Sequence, residues 1–129
     1  MRKKIVVIDD EPGIREVLRI HLNAAGFEVF SADCAAAGLD LVRASAPDMV
    51  ICDYSLPDLR GLDLVSTIKS ERPGISLVII SGFLEDSIED EARAAGVSGC
   101  LKKPFSKKVL LDTVTGHIDC HGAEATGTE

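Results

Sequence analysis

At 129 residues the chain has room for one compact domain and is too short for two ordinary ones, and its 46% apolar and 27% charged residues, without a single Trp, describe a globular chain with an aliphatic core. A net charge of -7, from 14 basic and 21 acidic residues, argues against direct contact with DNA or RNA. No apolar run is long enough to span a bilayer, so no membrane contact is expected and the cytoplasm is the expected compartment.

Short apolar runs rich in β-formers alternate five times with stretches of helical period. The first run, Lys4 to Asp9, follows a basic start, but its IVVI core is too short for a secretory signal and ends in acids. A helix is expected from about Gly13 to Ala25, with Ile14, Val17, Leu18 and Leu22 on one stripe and Gly26 as its stop. The second run, Glu28 to Ala32, precedes an Ala-rich helix from Cys34 to Ala46, anchored by Leu39, Leu41 and Val42 and ended by Pro47. The third run, Asp48 to Asp53, opens a loop marked by Pro57 and Gly61, and a helix over Leu62 to Glu71 then turns Leu64, Val65 and Ile68 inward. The fourth run, Ser76 to Ser81, leads to a helix from about Ser87 to Ala95 that stops at Gly96. The fifth, Gly99 to Lys102, leads to a helix from Lys107 to about Ile118. Gly122 to Glu129 is small and polar, a tail or the start of a linker, which leaves residues 1–121 as the domain.

Cys34, Cys52, Cys100 and Cys120 form no C-x-x-C pair and are expected to be reduced. His117 and His121 of HIDCH would share a helical face, but a fraying helix end accounts for them better than a metal site. The runs IVVI, MVIC and LVII are continuous rather than alternating, which suits strands covered on both faces. The expected architecture is therefore α/β: a doubly wound parallel sheet of five strands with helices on both sides.

Ligands of such sheets bind outside the carboxyl ends of the strands. Those ends carry Asp9 and Asp10, Asp53, Ser81 with Gly82, and Lys103 with Pro104, whereas the second strand contributes nothing comparable. Clustered carboxylates repel one another and call for a cation, and a hard divalent ion such as Mg2+ prefers oxygen ligands. A carboxylate beside such an ion can attack phosphorus and form an acyl phosphate, for which Asp53 is the candidate nucleophile. Lys103 would offer a fixed positive charge to the phosphoryl oxygens, and Ser81 a hydroxyl donor. Each residue alone reads as an ordinary turn former; together their types are complementary. Glu11 is assigned to the start of the first helix, where an acid is favourable.

Four segments carrying these residues, VIDDEP, CDYSLPDLRGLDL, IISG and AGVSGCLKKPF, resemble the motifs of the receiver domain of bacterial two-component response regulators, and the likeness runs from Lys3 to about Ile118. The resemblance implies a flavodoxin-like (βα)5 fold with strand order 2-1-3-4-5. It implies Asp53 as the phosphorylated residue, Asp10 as a direct Mg2+ ligand with Asp9 acting through water, and the Ser55 carbonyl as a further ligand. It also implies Ser81 and Lys103 as holders of the phosphoryl group, and a cis Lys103-Pro104 bond. The donor would be a sensor histidine kinase or a histidine phosphotransfer protein. Output would pass through the face of the fourth helix, fifth strand and fifth helix, to a partner protein or a C-terminal effector. Such a chain would catalyse only its own phosphorylation and dephosphorylation.

Cys100 stands where the family usually carries Tyr or Phe, so a ring that swings in the family is replaced by a small thiol. Phe83 is a candidate for the missing bulk, and with Ser55 it occupies the positions that tune the lifetime of the acyl phosphate, leaning toward a longer one. Cys100 itself reads as a structural thiol. Three other readings stay open: an aspartyl phosphatase of the haloacid dehalogenase type, disfavoured by the lack of a D-x-D motif; a flavodoxin-like cofactor binder, disfavoured by the acidic edge; and a degenerate receiver acting only by binding. The chain fits a stand-alone regulator or the receiver of a longer protein equally well.

Overall fold

The computed structural model describes residues 2–82 and 86–126, with side chains in the last helix described to Ile118. Ten elements alternate along the chain: β1 (Lys4–Ile8), α1 (Pro12–Ala24), β2 (Glu28–Ala32), α2 (Ala35–Ser45), β3 (Met49–Asp53), α3 (Gly61–Glu71), β4 (Ser76–Ser81), α4 (Asp86–Ala94), β5 (Gly99–Lys102) and α5 (Lys107–Thr126). All four strand pairings are parallel and the sheet runs β2-β1-β3-β4-β5, the order the resemblance implies.

Continuous apolar strands make sense once both faces are covered. Side chains of a strand alternate between faces. Val6, Ile8, Val50, Cys52, Leu77 and Ile79 pack toward Val42 of α2, Leu64, Val65 and Ile68 of α3, and Ala92 of α4. Their neighbours Ile5, Val7, Met49, Ile51, Val78 and Ile80 pack toward Leu18 and Leu22 of α1 and Leu110, Val114 and Ile118 of α5. Every residue of β3 and β4 is buried, so neither strand has a solvent face on which polar residues could alternate.

Helix ends follow local chemistry. Pro12 occupies the first turn of α1, where its missing N–H is no loss. At the other end the Gly26 amide donates to the Asn23 carbonyl and the Phe27 amide to the Leu22 carbonyl, with Gly26 at φ 100°. That is a Schellman closure, repeated after α4 with Gly96 at φ 99°.

Two sequence expectations change. Val17 does not join the buried stripe of α1: it is 40% exposed, whereas Leu18 and Leu22 are fully buried. Only the i, i+4 row of Ile14, Leu18 and Leu22 meets the sheet, and one residue of helix turns Val17 about 100° away from Leu18. Helix α5 continues to Thr126, past the stop expected near Ile118, through the helix-favouring stretch Ala123–Glu124–Ala125. The side chains of Cys120 and His121, and residues 127–129 of the expected tail, lie outside the described residues, as does Phe83. Cys34, Cys52 and Cys100 are free thiols. No described helix is long and apolar enough to cross a membrane.

The split between adjacent residues of α1 is measurable. Leu18→Ala is expected to lower the unfolding free energy by about 2–5 kcal/mol, whereas Val17→Ala stays within about 0.5 kcal/mol. Urea denaturation at unchanged m-value reads both; equal losses would mean that α1 is rotated relative to this description.

Candidate functional site

Strand register brings the polar residues to one edge. Ile8 lies opposite Cys52, Asp53 opposite Ile80 and Ser81 opposite Lys102, so Asp9, Asp53, Ser81 and Lys103 fall within a residue of the same level at the carboxyl ends. Backbone pairing continues just past the strands: the amide of Asp9 donates to the Ala32 carbonyl at 3.1 Å, that of Tyr54 to Ile80 at 2.8 Å, and that of Lys103 to Ser81 at 2.8 Å. These bonds fix the three backbones that carry the charges. The Lys103-Pro104 bond is cis, as the resemblance implies. Together Asp10, Glu11, Asp53, Tyr54, Ser55, Ser81, Gly82, Ile88 and Lys103 line a cleft of about 560 Å³.

Lys103 is the electrostatic centre. Its Nζ lies 2.9 Å from Glu11 Oε1, 3.1 Å from Asp9 Oδ2 and 3.3 Å from Asp53 Oδ2. Burial pulls the ammonium's pKa down, but its hydrogen bond to Glu11 and its contacts with Asp9 and Asp53 outweigh that, and the pKa stands above the usual lysine value. Asp53 is pushed the other way from a typical paired carboxylate: burial and then the charge of Asp9 raise its pKa, against the opposing pull of Lys103 and the Ser55 amide. The nearby Cys52 thiol is raised by burial, then by the charges of Asp53 and Asp9, so it stays protonated. The Cys100 thiol is likewise raised, by burial first and Glu89 second, which agrees with a structural rather than a reactive thiol.

Glu11 corrects an expectation. It is the N-cap residue of α1, but its side chain makes no capping bond and reaches Lys103 instead. The α1 terminus already has Pro12 in its first turn, and a half-buried ammonium facing two buried carboxylates is the stronger attractor.

Asp9, Asp10 and Asp53 each place a carboxylate oxygen within 4.8 Å of the others. Asp9 is fully buried; its Oδ1 accepts the Glu11 amide at 2.9 Å. Its Oδ2 is paired with Lys103 by charge yet meets no donor at a hydrogen-bonding angle. A buried carboxylate oxygen left in that state, beside two further carboxylates and an open cleft, fits a hard cation. The Asp cluster is thus able to hold a metal.

The loop between β3 and α3 is shaped by contacts that the sequence alone did not single out. The Ser55 amide donates to Asp53 Oδ1 at 3.3 Å, Ser55 and Arg60 form an isolated antiparallel bridge, and the Gly61 amide donates to the Tyr54 carbonyl at 2.8 Å. A Cβ on Gly61 would fall 2.1 Å from the Asp53 carbonyl oxygen, so only glycine lets the loop close against the end of β3. Asp58 accepts the Ala35 amide at 2.8 Å and the Ala36 amide at 3.0 Å, capping α2 from another segment. Those two amides, Ala35 first, hold its carboxyl below the usual range. The one sequence signal was negative: α2 starts after Cys34, a poor capping residue. Arg15, likewise not foreseen, donates from Nη1 to the Asp9 carbonyl at 2.8 Å.

Residues 5–115 match the family model of the response regulator receiver domain. The chain is 34% identical over 107 residues to the transcriptional regulatory protein KdpE of Mycobacterium tuberculosis, covering 83% of this chain and 47% of that protein. It is 28% identical over 118 residues to sporulation initiation phosphotransferase F of Bacillus subtilis, covering 92% and 95% respectively. The chain thus spans about half the length of the first of these relatives and nearly all of the second. Among solved structures, a CheY-like receiver domain protein from Methanospirillum hungatei superposes with a TM-score of 0.92 at 25% identity, covering 96% of this chain and 99% of that one. Chemotaxis protein CheY4 of Vibrio cholerae superposes at 0.87 and 25% identity, over 91% and 99%.

The raised pKa of Asp53 has a stability consequence of definite sign. Its protonated form is the one favoured by folding, so the stability it contributes is complete below the unfolded carboxylate value of about 3.9 and is lost as pH rises through the higher folded value. At neutral pH the charge is a net burden on the metal-free fold. Asp53→Asn is therefore expected to unfold at higher urea than wild type at pH 7 in EDTA, with the gap closing toward pH 4; a lower midpoint for the variant at pH 7 would reverse this assignment.

Proposed function

The chain belongs to the response regulator receiver domain family, and on that premise we propose that it is a phosphorylation switch whose phosphoacceptor is Asp53. The observation that supports this reading is the arrangement in which the Asp53 carboxylate faces both the Asp9 and Asp10 carboxylates and the Lys103 ammonium. The aspartyl phosphatase and cofactor-binder alternatives fall with the family assignment.

In the proposed reaction one Asp53 carboxylate oxygen attacks the phosphorus of a phosphohistidine on a sensor kinase or phosphotransfer protein. An O–P bond forms, the P–N bond breaks with its electron pair staying on the ring nitrogen, and the departing imidazole takes a proton from solvent water. Burial and the Asp9 charge raise the basicity of the Asp53 carboxylate, and the Ser55 amide on Oδ1 holds its orientation. Lys103, already 3.3 Å from Oδ2, moves a short way to the transferred phosphoryl oxygens and neutralises their charge. Ser81, at the end of β4 and on the cleft wall, donates its hydroxyl to another of them. Asp10 and Asp53 through their carboxylates, Asp9 through water, and Ser55 through its carbonyl would hold Mg2+, which when bound offsets the negative charge of the incoming phosphoryl group.

The kinase or phosphotransfer partner and the output partner are part of the same proposal, with output through α4, β5 and α5, and the cytoplasm as the compartment in which they meet. Recruitment of Ser81 to the phosphoryl group would draw the end of β4 inward and shift α4 between two pre-existing arrangements. At that face Cys100 offers no ring to swing, and it packs instead, partly buried, on the side of the sheet that carries α4.

Incubation with acetyl phosphate and Mg2+ is expected to add one phosphoryl group by intact mass in wild type and none in Asp53→Asn, with Lys103→Gln slower on the order of 10²-fold. Mg2+ at 100 times its dissociation constant is expected to stabilise the wild type by about 2.7 kcal/mol. A wild type that folds but acquires no adduct would make it a receiver acting by protein contact alone.

A further inference from the structure

Asp58 ties the loop that carries Ser55 to helix α2, and resting on the function proposed above, we propose that it is a positioning residue for the cation site. The loop from Tyr54 to Arg60 is pinned at its base by the Tyr54 amide on Ile80, the Ser55–Arg60 bridge and the Gly61 amide on Tyr54. All of these bonds except the one to Ile80 lie within the loop and its immediate exit, so they shape it without fixing its tip relative to the carboxylates of β1. Asp58 supplies that reference: its two carboxylate oxygens take the amides of Ala35 and Ala36 at 2.8 and 3.0 Å, and α2 lies directly on β1 where Gly38 meets Ile8.

The consequence runs inward. With Asp58 clamped, the loop is held from both ends, and the Ser55 amide stays within reach of Asp53 Oδ1 at 3.3 Å while its carbonyl keeps one orientation. Released, the loop can rock about its Tyr54 and Gly61 attachments, and both the Asp53 rotamer and the Ser55 carbonyl lose their fixed placement. Asp58 touches neither cation nor phosphoryl group; it acts through Ser55. Outer partners of this kind that orient a ligand typically account for about 10–100-fold in metal affinity.

Isothermal titration of Mg2+ into the unphosphorylated protein tests this, followed by phosphorylation with acetyl phosphate across a Mg2+ series. The proteins are wild type, Asp58→Ala, Asp58→Asn and Val42→Ala, the last loosening buried α2 packing without touching the cap. Asp58→Ala is expected to bind Mg2+ on the order of tenfold more weakly and to need correspondingly more Mg2+ for half-maximal phosphorylation, at a little-changed saturating rate. Asp58→Asn, whose side-chain oxygen caps nearly as well, is expected to recover most of the affinity, and Val42→Ala to stay within twofold of wild type. Should Asp58→Ala fail to fold, Asp58→Ser, too short to span to the α2 amides, takes its place. Asp58→Ala binding within twofold of wild type would overturn the proposal, as would an equal loss in Val42→Ala. Absence of Mg2+ binding in the wild type would instead overturn the cation reading on which it rests.

Discussion

One ammonium holds the charged edge of this fold together. Lys103 stands within 3.3 Å of carboxylates from two strand ends and the first helix cap, and among the described residues it is the sole cation paired with the two buried acids, Asp9 and Asp53. Without it, two buried carboxylates would face each other with only the amides of Glu11 and Ser55 as donors. The pairing is also incomplete: Asp9 Oδ2 keeps charge contact but no hydrogen bond, and Asp53 is still pushed toward its protonated form. A site balanced by one lysine, yet not satisfied, has room for further positive charge, and the proposed phosphoryl transfer would draw on that room.

The sheet makes such a site possible. Five parallel strands end on one edge, and burial of the central strands on both faces leaves their carboxyl ends as the place where polar side chains can emerge. Asp53 is the last residue of β3 and Ser81 the last of β4, each preceded by apolar residues that fix the backbone rigidly. Precision in the charged residues is thus borrowed from aliphatic packing. Surface ion pairs such as Arg60 with Glu91, which joins the start of α3 to α4, are exposed and contribute little by comparison, although this one links the end of the loop after β3 to the helix proposed to move.

Much of this was readable in one dimension. The five strands and five helices fell within a residue or two of their observed bounds, except at the end of α5, because apolar period and Gly or Pro stops are local properties. Val17 stays exposed because a stripe of four apolar residues on a helical wheel is wider than the single i, i+4 row that meets the sheet. Asp9, Asp10, Asp53, Ser81 and Lys103 were each nameable from strand ends, and the register brings the last four to one cleft, with Asp9 buried against Asp10 and Asp53.

Sequence alone therefore determined the alternation of strands and helices, the covering of the sheet on both faces and the chemical types at its carboxyl edge, since each follows from neighbours a few residues apart. Only the tertiary structure decided how those types pair. Glu11 turns from its helix to Lys103 across 92 positions, and Asp58 caps a helix 23 positions earlier, because both contacts are set by which segments lie side by side. Hydrogen-bond partners and pKa shifts depend on distances of a few ångströms between such segments, and strand order and register establish those distances where periodicity cannot.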